Sequence, residues 1–250
     1  MSSEYADKLH SRILDFYKQY GLRNTVGVGK AILNCKLHKD DEDFRTAIHG
    51  EICESILECC VLDFLRRNKL EKKWFFSKGL VLKDLDNLDS DYKTEIDFII
   101  FTPHKMIPIE CKSYGGVKYI KEKCTIVRPG KKPYNVYKQH EKHYETLIQN
   151  FQGFRDYTEE SNKYSIVQLG MFNFSNGDLK DQREEIWKKT MPIVDVDNIN
   201  EFLSKQLDKP SLWNMKELRR AVKIVERNNE KRRKEHLEYV KGLAEKRRRG

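Results

Sequence analysis

Apolar positions recur at helical spacing along the first quarter of the chain. From Tyr5 to Tyr20, Leu9, Ile13, Phe16, Tyr17 and Tyr20 keep that spacing, and Gly21 ends it. Asp40 and Asp41 are N-cap residues for a long helix through about Arg67, on which Phe44, Ile48, Ser55, Cys59 and Leu62 share a face. The pattern then changes to β-rich runs at Trp74 to Leu82, Glu95 to Phe101, Met106 to Lys112 and Cys124 to Val127, with an acidic loop from Lys83 to Lys93. After Pro129, Gly130 and Pro133 the spacing is helical again, from Asn135 to about Tyr157. Strands are predicted at Tyr164 to Phe172 and Met191 to Val196, and a short helix at Asn198 to Leu207.

Pro210 reads as a boundary. Beyond it Leu212, Met215, Leu218, Val222 and Val225 form an apolar stripe that fades into charge, as expected of a helix leaving the body. The chain therefore divides into an N-terminal helix and connection (1–40), a mixed α/β domain (41–209) and a basic C-terminal helix (210–250). Its fold class is α/β, a mixed central β-sheet flanked by helices with a basic C-terminal helical extension.

Charge sharpens this division. Of a net +9 over 250 residues, Lys231 to Gly250 supplies two thirds, with nine Lys/Arg against three Glu. A basic tail on a near-neutral body is either a handle for a polyanion, of which nucleic acid is the commonest, or a solvated charged helix. No apolar stretch is long enough to span a membrane, and the first residues lack a secretion signal, so the expected location is the cytoplasm. Six cysteines without a C-x-x-C pair read as reduced, mostly buried thiols.

Several motif-like segments lead nowhere. Val26 to Lys30 resembles a phosphate loop, but Asn24 and Ala31 stand where it needs Gly and Ser/Thr. The acidic loop Asp84, Asp86, Asp89, Asp91 lacks the Gly and final Glu of a calcium loop. His140 and His143, three apart on a helix without H-E-x-x-H, read as surface or half-buried residues.

The chemistry concentrates in a predicted hairpin, Thr94-Glu95-Ile96-Asp97-Phe98-Ile99-Ile100-Phe101 followed by Met106-Ile107-Pro108-Ile109-Glu110-Cys111-Lys112. Alternation puts Glu110 and Lys112 on one face, opposite Ile107, Ile109 and Cys111. It puts Asp97 with Ile99 and Phe101, opposite Ile96, Phe98 and Ile100. A carboxylate in so apolar a strand needs compensation. Two carboxylates about 4 Å apart repel by about 4 kcal/mol at an effective dielectric near 20. A divalent cation with oxygen ligands, magnesium or manganese, removes that cost; the alternative is an Asp97 to Lys112 ion pair. Glu51 lies within about 20° of the line through Phe44 and Leu62, which aims it toward the sheet. Glu58 is on nearly the same line.

Gly50-Glu51, the segment Glu95 to Ile100, the segment Ile109-Glu110-Cys111-Lys112-Ser113-Tyr114-Gly115-Gly116 and Gln139 on the next helix resemble, in this order, the nuclease-related domain (NERD) of the PD-(D/E)XK nuclease superfamily. The resemblance runs from about Thr46 to Leu203. The chain departs from the family pattern at Asn135-Val136, where Asn-Pro is usual before the Gln, and at Ile96, where proline often precedes the Asp. The resemblance implies a restriction-endonuclease-like fold. It implies that Asp97 and Glu110 bind the catalytic Mg2+ or Mn2+ with the backbone carbonyl of Cys111, and that Glu51 binds through water or a second metal. Lys112 then orients the attacking water and stabilises phosphate charge, and Gln139 positions water or a phosphate oxygen.

Residue types agree independently: hard oxygen ligands, one cation beside them, and basic side chains following the site at Lys118, Lys121, Lys123, Arg128, Lys131, Lys132, Lys138 and Lys142. Tyr114, Tyr119, Tyr134 and Tyr137 interleave with these as candidate stacking or packing residues. Among the basic residues, Lys131, Lys132 and Lys138, with Arg232, Arg233, Arg247, Arg248 and Arg249 in the tail, are the candidate nucleic-acid contacts. The expected function is metal-dependent hydrolysis of nucleic acid, DNA favoured by the resemblance. The alternatives are a non-catalytic nucleic-acid-binding protein, or an assembly protein whose C-terminal helix pairs with a second copy or a partner.

Overall fold

A computed structural model describes residues 42–83, 93–112, 117–151, 167–173, 179–207, 209, 211 and 214–227, without the side chains of 42–49, 51, 52, 93, 224 and 225. The expected first helix, the acidic loop, the segment around Tyr157 and Tyr164 and the basic tail lie outside the described residues.

Helix α1 (Glu42–Arg67) ends as its sequence dictates, with Arg66 and Arg67 in the last turn, where cations favour the helix dipole. Lys69 takes a left-handed φ of 55° there. The Leu70 N–H reaches the Leu65 carbonyl at 2.8 Å and the Lys69 N–H the Arg66 carbonyl at 3.1 Å, which closes a Schellman motif. Strands β1 (Phe75–Lys83), β2 (Lys93–Phe101) and β3 (Met106–Lys112) follow as an antiparallel meander. Short strands β4 (Lys118–Lys121), β5 (Thr125–Val127) and β6 (Tyr134–Asn135) lead into helix α2 (Val136–Asn150). Asn135 caps α2 by accepting the Lys138 N–H on its side-chain oxygen at 2.8 Å. The chain continues through β7 (Gly170–Asn173), β8 (Leu179–Asp181), α3 (Glu185–Thr190), β9 (Ile193–Val194), α4 (Ile199–Ser204) and α5 (Met215–Arg227).

Five strands form the central sheet in the order β1-β2-β3-β7-β9, antiparallel across the first three and parallel from β3 to β9. A second sheet, β6-β5-β4-β8, was not legible as a sheet in the sequence. The mixed α/β class expected from the sequence holds, with two mixed sheets in place of one.

Two hydrophobic clusters cover the central sheet. One joins α1 (Cys53, Ile56, Leu57, Cys60, Val61, Phe64) and α4 to Phe98, Ile100, Ile107, Ile109 and Cys111. The other joins α2, the second sheet and α5 to Ile99, Phe101, Met106 and Met171. The buried face of α1 is rotated from the predicted stripe: Ser55 and Leu62 are only half-buried. The helix selects the face richest in large apolar side chains, and burial of each contributes on the order of 1.5–3 kcal/mol.

Strict alternation fails at one place. Ile96 packs in the α2-side cluster with Leu80 and Leu82, whereas Phe98 and Ile100 pack under α1. This corrects the expectation that all three share a face. On β1 the same inversion occurs, since Phe76 packs on the α1 side and Leu80 and Leu82 on the other. Between the Lys78–Phe98 and Leu80–Ile96 pairs stand Gly79 and Asp97. Gly79 has φ of +59°, a left-handed backbone that a side chain would strain, and it lets both strands change face together. Asp97 thus sits where the sheet's regular pattern breaks.

Contrary to the expectation from the sequence, the C-terminal helix does not leave the body at Pro210. Leu218 and Val222 on α5 are buried in the α2-side cluster, and the Arg219 guanidinium lies 5.4 Å from the centre of the Phe75 ring and donates to the Lys72 carbonyl. Those two apolar residues are therefore used in the body and do not serve as a seam for a second chain.

Candidate active site

The β2–β3 register, read one step past the Phe98–Ile109 pair, brings Asp97 level with Glu110. Here Asp97 turns into the sheet's own hydrogen bonding, its Oδ2 accepting the Cys111 backbone N–H at 2.8 Å. Burial raises the Asp97 carboxyl well above its ordinary value and the charge of Glu110 raises it further, opposed by the Lys112 ammonium. The charges of Asp97 and Glu110 thus act on one another between the two strands.

Lys112 lies two residues beyond Glu110, on the same face of β3. Its ammonium bonds Glu110 Oε1, so the ion pair anticipated for Asp97 is made with Glu110 instead. Burial disfavours the Lys112 charge, but the Glu110 and Asp97 carboxylates outweigh it and raise its pKa, so the side chain is a fixed cation. The other Glu110 oxygen, Oε2, is buried and accepts no hydrogen bond. Lys112 Nζ also stands 5.1 Å from the centre of the Tyr134 ring. The Tyr134 hydroxyl donates to Gln139 Oε1. Gln139 thus joins the site at one remove, through an aromatic ring of the second sheet.

Glu51 occupies α1, and its side chain lies outside the described residues. Along its line on the helix, Ser55 and Glu58 are both engaged by Lys78 of β1, at 3.1 and 3.9 Å. Glu54 was missed by the sequence reading, yet its charge acts on both Asp97 and Cys111. Its signal was its place one helical turn after Glu51. The Cys111 thiol is raised by burial and by its neighbour Cys53, as befits an inert thiol.

His140 and His143 are 0% and 1% exposed, against the expectation of surface or half-buried residues. His140 Nε2 lies 2.9 Å from the Gly170 carbonyl, the two rings meet edge-to-face at 5.4 Å, and His143 Nδ1 is 4.0 Å from Glu110 Oε2. Burial lowers both to about 3, His140 further by its neighbour His143 and His143 by Lys112, so both rings are neutral at ordinary pH.

The basic residues after the site separate into two groups. Lys131, Lys132 and Lys138 are exposed, as are Lys121 and Lys142. Lys118, by contrast, is 1% exposed, and burial with the charge of Arg128 lowers it to about 8, so it is no surface contact. Lys123 lies over the Tyr137 and Trp187 rings at 4.7 and 5.0 Å. Tyr137 is a core residue and Tyr119 sits under Lys180. Tyr114, Arg232, Arg233, Arg247, Arg248 and Arg249 lie outside the described residues.

Among the described residues no helix is long and apolar enough to cross a membrane. No curated protein and no solved structure matches the chain. A family model does: the nuclease-related domain, NERD, matches residues 55–169, a span that begins just after Glu51 and Glu54 and contains Asp97, Glu110, Lys112 and Gln139. Residues 55–169 of this chain thus match the nuclease-related domain, the family that the hairpin residues resemble.

Proposed function

We propose that this protein is a metal-dependent nuclease that hydrolyses phosphodiester bonds, with DNA as the preferred substrate. The observation that carries this reading is the electrostatic coupling of Asp97 and Glu110 on neighbouring strands with Lys112 bonded to Glu110, within the segment that matches the nuclease-related domain. A purely structural site has little use for two carboxylates that repel at the end of a sheet.

The donors fit a hard divalent cation. Glu110 Oε2 is buried without a hydrogen-bond partner, and Asp97 is forced toward its neutral form by burial and by Glu110. Among the described residues, no three His, Cys, Asp or Glu side chains gather in a group able to hold an ion. Two direct carboxylates suit magnesium, which keeps several waters and takes one or two carboxylates with substrate phosphate oxygens. Asp97, Glu110 and the Cys111 carbonyl would hold the ion, with Glu51 as an outer ligand. When bound, Mg2+ or Mn2+ neutralises phosphate charge and lowers the pKa of water.

The remaining work falls to the chain's own groups. Asp97 and Glu110 orient the reacting centre. Lys112 is held by Glu110 and the Tyr134 ring at the mouth of this pair, placed to stabilise negative charge that grows on the phosphate. Gln139, fixed by Tyr134, positions water or a phosphate oxygen. Exposed Lys131, Lys132 and Lys138, with the basic tail, hold the polyanion.

The test is cleavage of linear, circular and single-stranded DNA and of RNA, with magnesium, with manganese and with EDTA. Cleavage of at least one DNA form that requires the metal is expected. Binding without cleavage under every condition would favour the non-catalytic alternative, and undiminished cleavage in EDTA would overturn the metal mechanism.

A further inference from the structure

Strand β9 is the last in the order of the central sheet, and beside it opens a cavity of about 400 Å3, a volume within the range of small-molecule sites. None of Asp97, Glu110 and Lys112 lines it. Pro192, Ile193, Val194 and Phe202 form an apolar wall, and Lys188, Lys189 and Lys205 bring positive charge, opposed among the lining residues by Glu201. Lys188 bonds Glu185 at 2.7 Å and Lys205 bonds Glu201 at 2.8 Å, with the carboxylate side chains 75% and 72% exposed. Ion pairs so exposed stabilise little, so they are readily exchanged for a phosphate. Lys105 adds charge at the rim: its Nζ stands 3.4 Å from Oε1 of Gln168, a lining residue held in place by donating to the Thr190 carbonyl at 3.0 Å. Burial and the nearby charge of Lys209 hold the Lys105 ammonium below its ordinary value. Gln206, 7% exposed, completes the wall. The His104 ring is drawn to the Gln206 side chain, yet neither imidazole nitrogen nor Gln206 Oε1 has a partner at full hydrogen-bond distance. A buried acceptor in that state costs free energy, which an N–H or O–H of a ligand would recover.

We propose that this cavity binds a nucleoside monophosphate, with the phosphate on Lys188, Lys189 and Lys205 and the base against the apolar wall. Three features together select that class. Three lysines against one glutamate call for an anion, and ammonium groups bond phosphate oxygens strongly because both partners are charged. An inorganic anion would leave the wall of Pro192, Ile193, Val194 and Phe202 unused, whereas the flat face of a base covers it and removes apolar surface from water. Gln206 Oε1 calls for a donor, which the sugar hydroxyls and the base N–H groups of a nucleotide supply. The site is separate from the catalytic hairpin and does not depend on the metal-dependent reading of it.

Isothermal titration calorimetry of the full chain in EDTA tests this, with the four deoxynucleoside 5′-monophosphates as probes and deoxyadenosine and inorganic phosphate as partial ligands. At least one nucleotide is expected to bind saturably, and about 10-fold or more tightly than either partial ligand. Lys188→Ala combined with Lys205→Ala should weaken that nucleotide by about 10-fold or more, the worth of a charge-assisted hydrogen bond. Both side chains reach solvent, so the double variant keeps its fold, which circular dichroism checks. Gln206→Leu should weaken the nucleotide and leave inorganic phosphate unchanged, and Lys112→Ala should bind the nucleotide as wild type does. Failure of all four nucleotides to bind, equal binding of inorganic phosphate or of deoxyadenosine, or full affinity in the lysine double variant overturns the proposal. A loss in Lys112→Ala with the lysine double variant unaffected places the nucleotide at the hairpin and overturns it as well.

Discussion

Acid should destabilise this protein through His140 and His143, and the magnitude follows from their burial. Each ring is held at about 3 in the folded chain, against about 6.5 when exposed. Above about pH 6.5 both states are neutral and the rings contribute no pH dependence. Below it the unfolded chain binds protons that the native core refuses, so stability falls by about 1.4 kcal/mol per pH unit for each ring, down to about pH 3. Between pH 7 and pH 5 the two rings together cost about 4 kcal/mol. His104, also lowered by burial, adds to the same trend. Asp97 acts with the opposite sign: its native pKa is raised, so as pH falls through that value the native state gains a proton that the unfolded chain does not hold. Its offset is at most about 1.4 kcal/mol per unit. Wild type should therefore lose about 1 to 4 kcal/mol over this interval, and Asp97→Asn, which lacks the offset, about 4. Against a typical total of about 5 to 15 kcal/mol this is a large fraction. Urea unfolding of both proteins at pH 7, 6 and 5, in EDTA, measures it. A urea midpoint for Asp97→Asn that does not move between pH 7 and pH 5 would refute the neutral buried pair.

Further outcomes follow from the site and from the helix that docks on the body. Asp97→Asn and Glu110→Gln should each abolish detectable cleavage while circular dichroism stays native, and a near-normal rate in either would remove that residue from the site. Lys112→Ala should lower kcat more than it raises KM, because its work is done on charge that develops in the transition state; a change confined to KM would make it a binding residue. Leu218→Ala should cost about 2 to 5 kcal/mol of stability, since the side chain is fully buried against the body; a cost near zero would return α5 to the role of a free extension. Lys131, Lys132 and Lys138 changed together to Ala should flatten the salt dependence of duplex binding by about 0.9 for each phosphate that is no longer neutralised, whereas Lys118→Met should leave it unchanged.

Much of the candidate site could be read from the chain because its parts are local. Asp97, Glu110 and Lys112 sit on two strands whose pattern of branched apolar residues is unmistakable, joined by a short turn in which the Thr102 hydroxyl accepts the Lys105 N–H and donates to the Lys105 carbonyl. A short antiparallel hairpin sets its own register, and the Phe98–Ile109 pair leaves Asp97 and Glu110 as the next residues along the two strands. The start of α2 was equally legible, because an Asn side chain that caps a helix acts within one turn.

Tertiary structure decided what depends on partners far along the chain. Strands of two to four residues such as β4, β6 and β8 carry no measurable period, and the run at Cys124 to Val127 that becomes β5 does not name its partners, so the second sheet and the Tyr134 ring it brings under Lys112 emerge only from pairing. The change of face at Gly79 and Asp97 breaks the alternation from which faces are inferred, and it exists because two strands yield together. Lys118, His140 and His143 look like surface residues in a sequence, since their burial depends on sheets and helices that close over them from elsewhere. The stripe on α5 showed one apolar side in the sequence. That it covers the α2-side core, and not another chain, was settled by the exposed apolar surface of the sheet that Leu218 and Val222 remove from water.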